Sequence, residues 1–260
     1  MPARRVTGVP SPRDVWALAP LIAGQPSYRS GQWVRGKFGY PGSPVGISSA
    51  LPKSPAAVLV HGADGSVATL CLDLDTSSAA QHVVDGDAER LGALLASCGL
   101  RWVEDVSPSG GRHLYVPLAE RMDGAQAREL VEALARVARS LDASPHRNPS
   151  TGCIRVPGTL HKRGGRQELV TPLSAAYEIL RRRNTAEGLE RLRRALAPEL
   201  RRNRHEAGRR ARLMAPPPAQ TGRSPGPDTA GRPLGGWQSP LRSIAETGLY
   251  ETDRYRSVSY

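Results

Sequence analysis

Short apolar runs separated by turn residues dominate the hydrophobic pattern between residues 56 and 118. Two of them, Ala56 to Val60 and Val67 to Leu72, flank the turn residues Ala63-Asp64-Gly65-Ser66. Apolar and β-branched runs bounded in this way predict buried strands, and we expect these two to pair as a hairpin. A second pair of strands, Arg101 to Val106 and Arg112 to Leu118, is predicted around a Ser-Pro-Ser-Gly-Gly turn.

Helical spacing of apolar residues follows each strand pair. The first predicted helix runs from Ala88 to Cys98, with Asp87 as its N-cap and Gly99 as its stop. The second runs from Gly124 to Ser140 and begins after Asp123. Two more short strands are predicted at 153–156 and 167–172. Hairpins that alternate with helices indicate an α+β fold rather than a regularly wound parallel sheet.

The two ends of the chain differ from this central region. Residues 1–35 are rich in Pro and Gly, with a short helix predicted from Asp14 to Ile22, and Trp16, Tyr28 and Trp33 are interpreted as packing residues. We expect one main folded domain over residues 1–175 and a basic helical segment over 176–214. A Pro- and Gly-rich linker is expected at 215–236, and the start of a second, helical domain that is cut short at 237–260.

Charge and cysteine usage restrict the class of protein. The net charge is +12 and the pI is near 10.4, which points to a polyanionic partner such as nucleic acid. Twelve arginines against four glutamates lie between residues 181 and 214. Three widely spaced cysteines fit neither a disulfide framework nor a zinc finger. With no secretory signal and no run near ~18 apolar residues, a cytoplasmic protein without a membrane span is expected.

The first chemical motif stands at the end of the strand that begins at Val67. Asp73 and Asp75 are separated by one residue, so along a strand they would project from the same face roughly 6.5 Å apart. Two carboxylates this close repel each other unless a cation lies beside them, and Mg²⁺ prefers such oxygen ligands. The alternative is that one aspartate caps the next segment while the other is solvated. A third carboxylate for a two-metal site is assigned to Asp142, with Asp105, Asp85 and Asp87 as competitors.

Two further motifs are typical of phosphate binding. Ser109, Gly110 and Gly111 precede His113, and glycine backbone can leave N–H groups free to contact an anion. A later segment, Arg155-Val-Pro-Gly-Thr-Leu-His161-Lys162, presents cationic and hydroxyl groups that suit a triphosphate or a nucleic-acid backbone. Taken singly, each motif is also compatible with an ordinary glycine turn or a basic surface loop.

Taken together, these motifs resemble the archaeo-eukaryotic primase superfamily over roughly residues 40–175. The order is apolar-Asp-x-Asp, then Ser-Gly-Gly-x-His-x-Tyr, then an acid, then Ile-Arg-x-Pro-Gly-Thr-x-His-Lys. Within the superfamily it is most similar to the bifunctional primase–polymerase branch of plasmids and phages. The family often has Ser or Thr where this chain has Gly111, and the zinc stem or knuckle of some relatives is missing.

The resemblance implies a two-lobed α+β core with an RRM-like sheet, a catalytic domain over residues 1–175 and metal-dependent nucleotidyl transfer. It makes Asp73, Asp75 and Asp142 the ligands of Mg²⁺ or Mn²⁺. The nucleotide-binding residues would be Ser109, Gly110, Gly111, His113, Arg155, His161 and Lys162. The implied substrates are NTPs or dNTPs. The implied nucleic-acid partner is a single-stranded DNA template, bound by residues 181–214, and a replicative helicase is a candidate protein partner.

Two other functions compete with this interpretation. A haloacid-dehalogenase-type phosphatase would use Asp73 as nucleophile, but that family has Thr where this chain has Ser77, and Asp85-Gly86-Asp87 follows too soon. A replication-initiator DNA-binding protein could keep the primase fold without catalysis. The intact aspartate pair argues against it, because a binding module does not need two repelling carboxylates.

Overall fold

The strands form two antiparallel sheets and one separate two-stranded ribbon in the computed structural model, which describes residues 10–214. The smaller sheet has the strand order β10-β5-β1-β4, the larger sheet has the order β11-β7-β8-β6-β9, and β2 pairs with β3 as the ribbon. The strands are β1 (Ser27–Ser30), β2 (Gln32–Val34), β3 (Lys37–Gly39), β4 (Val45–Gly46), β5 (Ala56–Leu59), β6 (Val67–Leu74), β7 (Val103–Val106), β8 (Arg112–Met122), β9 (Leu141–Asp142), β10 (Cys153–Arg155) and β11 (Glu168–Leu169).

Eight helices accompany these strands in the described residues. They are α1 (Pro12–Trp16), α2 (Ala19–Ile22), α3 (Gln81–Ser97), α4 (Gly124–Val137), α5 (Ser144–Arg147), α6 (Leu173–Arg182), α7 (Ala186–Ala195) and α8 (Ala197–Met214). The predicted α+β class is confirmed, because antiparallel strand pairs and separate helices make up this part of the chain. None of the helices in residues 10–214 is long and apolar enough to cross a membrane.

The predicted hairpin of β5 and β6 is wrong. β5 pairs with β1 and β10 in the smaller sheet, whereas β6 pairs with β8 and β9 in the larger one. Only a single bridge, between His61 and Val67, joins the residues that follow β5 to β6. The local turn signal was correct, but both strands are buried on both faces and each finds its partners far away in the sequence. The predicted hairpin of β7 and β8 is confirmed.

The helix predicted at Ala88 begins earlier, at Gln81, and Asp87 lies inside it rather than at its N-cap. Its end at Gly99 agrees with the prediction, since this glycine has φ +70°. The start of α4 is also as predicted, because the Asp123 carboxylate accepts hydrogen bonds from the backbone N–H groups of Ala125 and Gln126.

The core continues beyond the boundary expected at residue 175. Leu180 of α6, Leu192 of α7, and Leu196 and Leu200 near the start of α8 are all buried in the same apolar cluster as the strands. The basic segment therefore packs on the main domain through buried leucines, and most of its described arginines are exposed. Arg183 is an exception, because it is partly buried and donates hydrogen bonds to main-domain carbonyls, among them Ala68 O at 2.9 Å. The linker expected at 215–236 and the second domain expected at 237–260 lie outside the described residues.

Candidate active site

Four titratable side chains lie next to one another across the larger sheet. The antiparallel register pairs Asp105 of β7 with His113 of β8, and His113 in turn with Asp73 of β6. Asp73 is paired on its other side with Asp142 of β9. Directly paired residues project from the same face, with Cβ atoms ~4.5–5.5 Å apart. We call Asp105, His113, Asp73 and Asp142 the transverse row.

His113 is held between two carboxylates. Its Nε2 lies 3.2 Å from Asp73 Oδ1 and its Nδ1 lies 2.9 Å from Asp105 Oδ1. The ring is 1% exposed, and Asp105 is 0% exposed. Asp105 is itself held, because the Tyr115 hydroxyl donates to its Oδ2 at 2.7 Å and Gln167 Nε2 donates to its Oδ1 at 3.3 Å. The orientation of the imidazole is therefore set by buried groups on both sides.

These contacts decide the charge states at neutral pH. Burial acts to lower the pKa of His113, but the Asp105 and Asp73 carboxylates outweigh it and raise the pKa to about 9. Burial acts to raise the pKa of Asp73, and the neighbouring His113, Arg155 and Lys162 bring it below its usual value. His113 is accordingly an imidazolium, and Asp73 is a carboxylate with 22% of its side chain exposed.

Asp75 and Asp142 are held by local hydrogen bonds at the same end of the sheet. The backbone N–H of Asp75 donates to Ser140 O at 3.0 Å, which extends the pairing of β6 toward the residues before β9. The Asp75 carboxylate accepts from the N–H and the hydroxyl of Ser77, both at 2.8 Å. The Asp142 carboxylate accepts in the same way from Ser144, at 2.8 and 2.6 Å.

The three predicted metal ligands fit a divalent cation by donor type. They are carboxylates, the oxygen donors that Mg²⁺ and Mn²⁺ prefer, and they lie at one end of the sheet with Asp73 open to solvent. Among residues 10–214, however, no group of three or more His, Cys, Asp or Glu side chains converges into a metal cluster. Each carboxylate is engaged by its own neighbour, so the cation would replace contacts to His113 and to the two serines.

Two hydrogen bonds hold the glycine turn between β7 and β8 beside these aspartates. The Thr76 hydroxyl donates to Ser109 O at 3.1 Å, and Gln81 Nε2 donates to Gly110 O at 3.0 Å. Because Thr76 directly follows Asp75, the turn lies next to the end of β6. Ser109, Gly110 and Gly111 therefore lie beside the aspartates in the structure.

The turn differs from the predicted phosphate cradle in one respect. The N–H of Gly110, which has φ +86°, already donates to Ser107 O at 2.9 Å, so it is not free for an anion. A Cβ on Gly111 would lie 3.1 Å from Leu74 O and 3.2 Å from Ser107 Oγ. This close approach to β6 explains why glycine suits the position at which the family often has a hydroxyl residue.

β10 and the loop that follows it carry the predicted cationic residues to the neighbourhood of Asp73. The charges of Arg155 and Lys162 both act on Asp73, and the charge of Asp75 acts on His161. His161 is 4% exposed, and burial together with the charge of Arg155 lowers its pKa, so it is neutral. Arg155 and Lys162 are thus the permanent cations of this group, and His161 can bind only as an uncharged donor or acceptor.

Two of the competing acids have structural partners. Asp85 forms an ion pair with Arg112 at 3.0 Å, and Asp87 accepts from the N–H and hydroxyl of Ser140 at 2.9 and 3.0 Å. Both belong to α3, so the Asp85-Gly86-Asp87 segment cannot serve as the second motif of a phosphatase. Asp87 nevertheless supports the site, because Ser140 precedes the strand that carries Asp142.

Sequence reasoning missed the role of Asp105 and its partners Tyr115 and Gln167. Strand alternation places Asp105 on the same face as the buried Val103, and this was the available signal that its carboxylate points inward. The hydrogen bonds of Tyr115 and Gln167 depend on strand pairing and on a loop more than 50 residues away. Local pattern carries no information about such contacts.

The arginines of α6 to α8 form a basic surface on the main domain. Several are paired at the surface, for example Arg182 with Glu178 and Arg204 with Glu129. A cleft of about 420 Å³ between α4 and the last two helices is lined by four arginines, Arg193, Arg194, Arg201 and Arg204. Glu129 is the one carboxylate among the described residues that line this cleft, so the cleft carries an excess of positive charge.

Comparison with known proteins returns structural neighbours only. No protein-family model and no curated protein matches the sequence. The solved neighbours include the AEP domain of the cyanophage S-2L primase-polymerase, with 19% identity and a TM-score of 0.42 over 65% of this chain and 97% of that one. They also include the polymerase domain of Mycobacterium tuberculosis ligase D in complex with DNA (19%, 0.43, 70% and 85%) and the catalytic domain of primase RepB' in complex with initiator DNA (12%, 0.44, 79% and 100%).

These neighbours are primase and polymerase domains. What the site of this chain can do depends on its own side chains.

Proposed function

We propose that this chain is a DNA primase–polymerase of the archaeo-eukaryotic primase superfamily, which adds nucleotides to a primer strand on a single-stranded DNA template. The observation that supports it most directly is the transverse row. It places an imidazolium, His113, beside a solvent-accessible carboxylate, Asp73, with Asp142 on the next strand. An anion-binding group directly adjacent to cation-binding groups is the arrangement that a nucleoside triphosphate with its divalent metal requires.

Asp73, Asp75 and Asp142 would hold Mg²⁺ or Mn²⁺. When bound, such ions lower the pKa of an attacking 3′-hydroxyl and neutralise the charge of the triphosphate. The contribution of this chain is to keep Asp73 ionised, since the pKa of its carboxyl lies below the usual value. Strand pairing also fixes Asp73 and Asp142 opposite each other before any cation arrives.

His113, Lys162 and Arg155 would position the triphosphate. Asp105 contacts the ring nitrogen of His113 that Asp73 does not, and both carboxylates raise the pKa of His113. His113 therefore keeps one carboxylate partner when Asp73 binds a cation instead. Lys162 and Arg155 add permanent positive charge beside the same carboxylate. Cations preorganised around the site of charge development stabilise the transition state of phosphoryl transfer.

The basic surface of α6 to α8 would bind the sugar–phosphate backbone of the template. Contacts of this kind are independent of sequence, and each neutralised phosphate of a single strand contributes ~0.7 to the slope of log K against log salt. Replacing Arg193, Arg194, Arg201 and Arg204 together by Gln should therefore weaken binding of single-stranded DNA and reduce this slope by up to about 3. An unchanged slope would remove this surface from the template path.

The test of the function is incorporation of labelled nucleotides on single-stranded DNA, with and without Mn²⁺ and with and without a primer. The control is the variant Asp73→Ala with Asp75→Ala, in which strand β6 keeps its apolar residues and its pairing. Metal-dependent product that disappears in this variant would establish nucleotidyl transfer, and the primer-free reactions show whether chains are started. Product formed equally by the variant would refute the proposed site. DNA binding without any product would favour an initiator protein.

A further inference from the structure

An aromatic cluster stands on the ribbon formed by β2 and β3. Trp33 pairs directly with Phe38 across the ribbon, with ring centroids 5.6 Å apart, and Phe38 contacts Tyr40 at 5.5 Å. Both contacts are edge-to-face. Trp33 is 63% exposed, so its interpretation as a packing residue is wrong. The ribbon pairs with neither sheet among the described residues, and most of the indole surface is open to solvent.

The cluster is held in place by its inner members. Phe38 and Tyr40 lie against the backbone of Gly31, where an added Cβ would collide with the Phe38 ring. The Tyr40 hydroxyl is buried, and burial acts to raise the pKa of Tyr40 while the charge of Arg155 acts to lower it. The ribbon is therefore anchored at its base, and only Trp33 presents a large aromatic surface to solvent.

All charged residues in the stretch of sequence around the ribbon are basic. No carboxylate occurs between Asp14 and Asp64, whereas Arg35 and Lys37 flank the tip of the ribbon. Lys162 lies over the Phe38 ring, with its Nζ 6.0 Å from the ring centroid. Phe38 and Tyr40 line one cleft together with Cys153 of β10. Arg155 O of the same strand accepts a hydrogen bond from the Tyr115 hydroxyl at 2.7 Å, which connects the ribbon to the candidate active site.

We propose that Trp33 is a stacking platform for a nucleobase of single-stranded DNA at the edge of this site. An exposed indole among cations satisfies both requirements of single-strand binding, a π-face for the base and positive charge for the backbone. Duplex DNA does not fit, because its bases are already stacked on each other. The identification of this strand as the template rests on the proposed function, whereas the stacking itself does not.

The test is binding of a fluorescein-labelled single-stranded oligodeoxythymidylate to the full chain, measured by anisotropy without metal or nucleotide over a range of salt concentrations. Trp33→Ala should weaken binding about 5- to 150-fold, the range for loss of one stacked base. Trp33→Phe should restore most of the affinity. The slope of log K against log salt should stay unchanged in both variants, because neither removes a cation.

Two controls separate stacking from other effects. Val170 is another exposed apolar residue, 47% exposed, and directly follows β11 at the edge of the larger sheet. Val170→Ala should leave the affinity for single-stranded DNA unchanged. Lys37→Ala should reduce the salt slope by about 0.7 if this cation meets a phosphate. Equal affinity of wild type and Trp33→Ala for the single strand would overturn the proposal, and so would an equal loss for a labelled duplex.

The outcome is independent of catalysis. Binding that depends on Trp33 in a protein that incorporates no nucleotide would leave the platform standing and refute the proposed function. Nucleotide incorporation by a protein whose DNA affinity does not depend on Trp33 would support the proposed function and refute the stacking platform. A loss confined to nucleoside triphosphate affinity, measured by competition, would assign Trp33 to the incoming nucleotide and overturn the proposal.

Discussion

The buried Asp105–His113 pair makes a quantitative prediction about stability. The pKa of His113 is raised from 6.5 to about 9, and each pKa unit corresponds to about 1.36 kcal/mol. A group whose pKa is raised on folding stabilises the native state fully below its unfolded pKa and loses this effect as the pH rises through its folded pKa. The stabilisation is therefore on the order of 3 kcal/mol at pH 5, slightly smaller at pH 7 and close to zero at pH 9.

Asp105→Asn removes the carboxylate that raises the pKa of His113 most. We expect the free energy of unfolding to fall by about 2 kcal/mol at pH 7, and its decrease between pH 5 and pH 9 to become much shallower. The lowered pKa of Asp73 acts in a different window, because its contribution is present above pH ~3.8 and is lost only below it.

The assay is urea unfolding at intervals from pH 5 to pH 9 in the presence of a chelator. Asp85→Asn is the matched control, since it also removes a carboxylate from an ion pair, but one with 41% of its side chain exposed. Surface pairs contribute about 0–1 kcal/mol, so its curve should run close to that of the wild type. Parallel curves for Asp105→Asn and the wild type would refute the reasoning about the buried imidazolium.

Two further predictions concern the metal site and the loop beside it. Mn²⁺ at 100 times its Kd should stabilise the wild type by about 2.7 kcal/mol and so raise its melting temperature. In a thermal-shift titration, Asp142→Asn should show a smaller rise. An equal rise in the variant would exclude Asp142 as a ligand. Gly158→Ala should lower the free energy of unfolding by about 1–3 kcal/mol in chemical denaturation. The reason is that Gly158 has φ +85° and that a Cβ there would collide with Pro12 O. An unchanged free energy of unfolding would show that the loop can adjust its backbone to accept the Cβ.

Part of the site could be predicted because it depends on local periodicity. Asp73 and Asp75 follow one buried strand, and alternation alone places them on one face. The turn before His113 and the loop with His161 and Lys162 were recognisable from their glycines and charges. These residues lie together in the structure, although the Gly110 amide is already used inside the turn.

The remainder depends on which strands pair, and local pattern does not decide pairing. The hairpin of β5 and β6 was mispredicted because a turn signal says that the chain reverses, but not that the two strands become neighbours. The position of Asp142 opposite Asp73 arises from a two-residue strand that has no sequence signature of its own. Trp33 was misjudged for a related reason, since only the tertiary structure shows that the ribbon joins neither sheet.

The sequence by itself determined the α+β class, the ends of several elements, the basic helices and the identity of the candidate carboxylates and cations. Only the tertiary structure decided that Asp105, His113, Asp73 and Asp142 form one row, that Asp105 is the buried partner of His113, and that the indole of Trp33 is exposed. The physical reason is that burial and charge pairing act across the sheet, between residues far apart in the chain. Periodicity acts only along each strand.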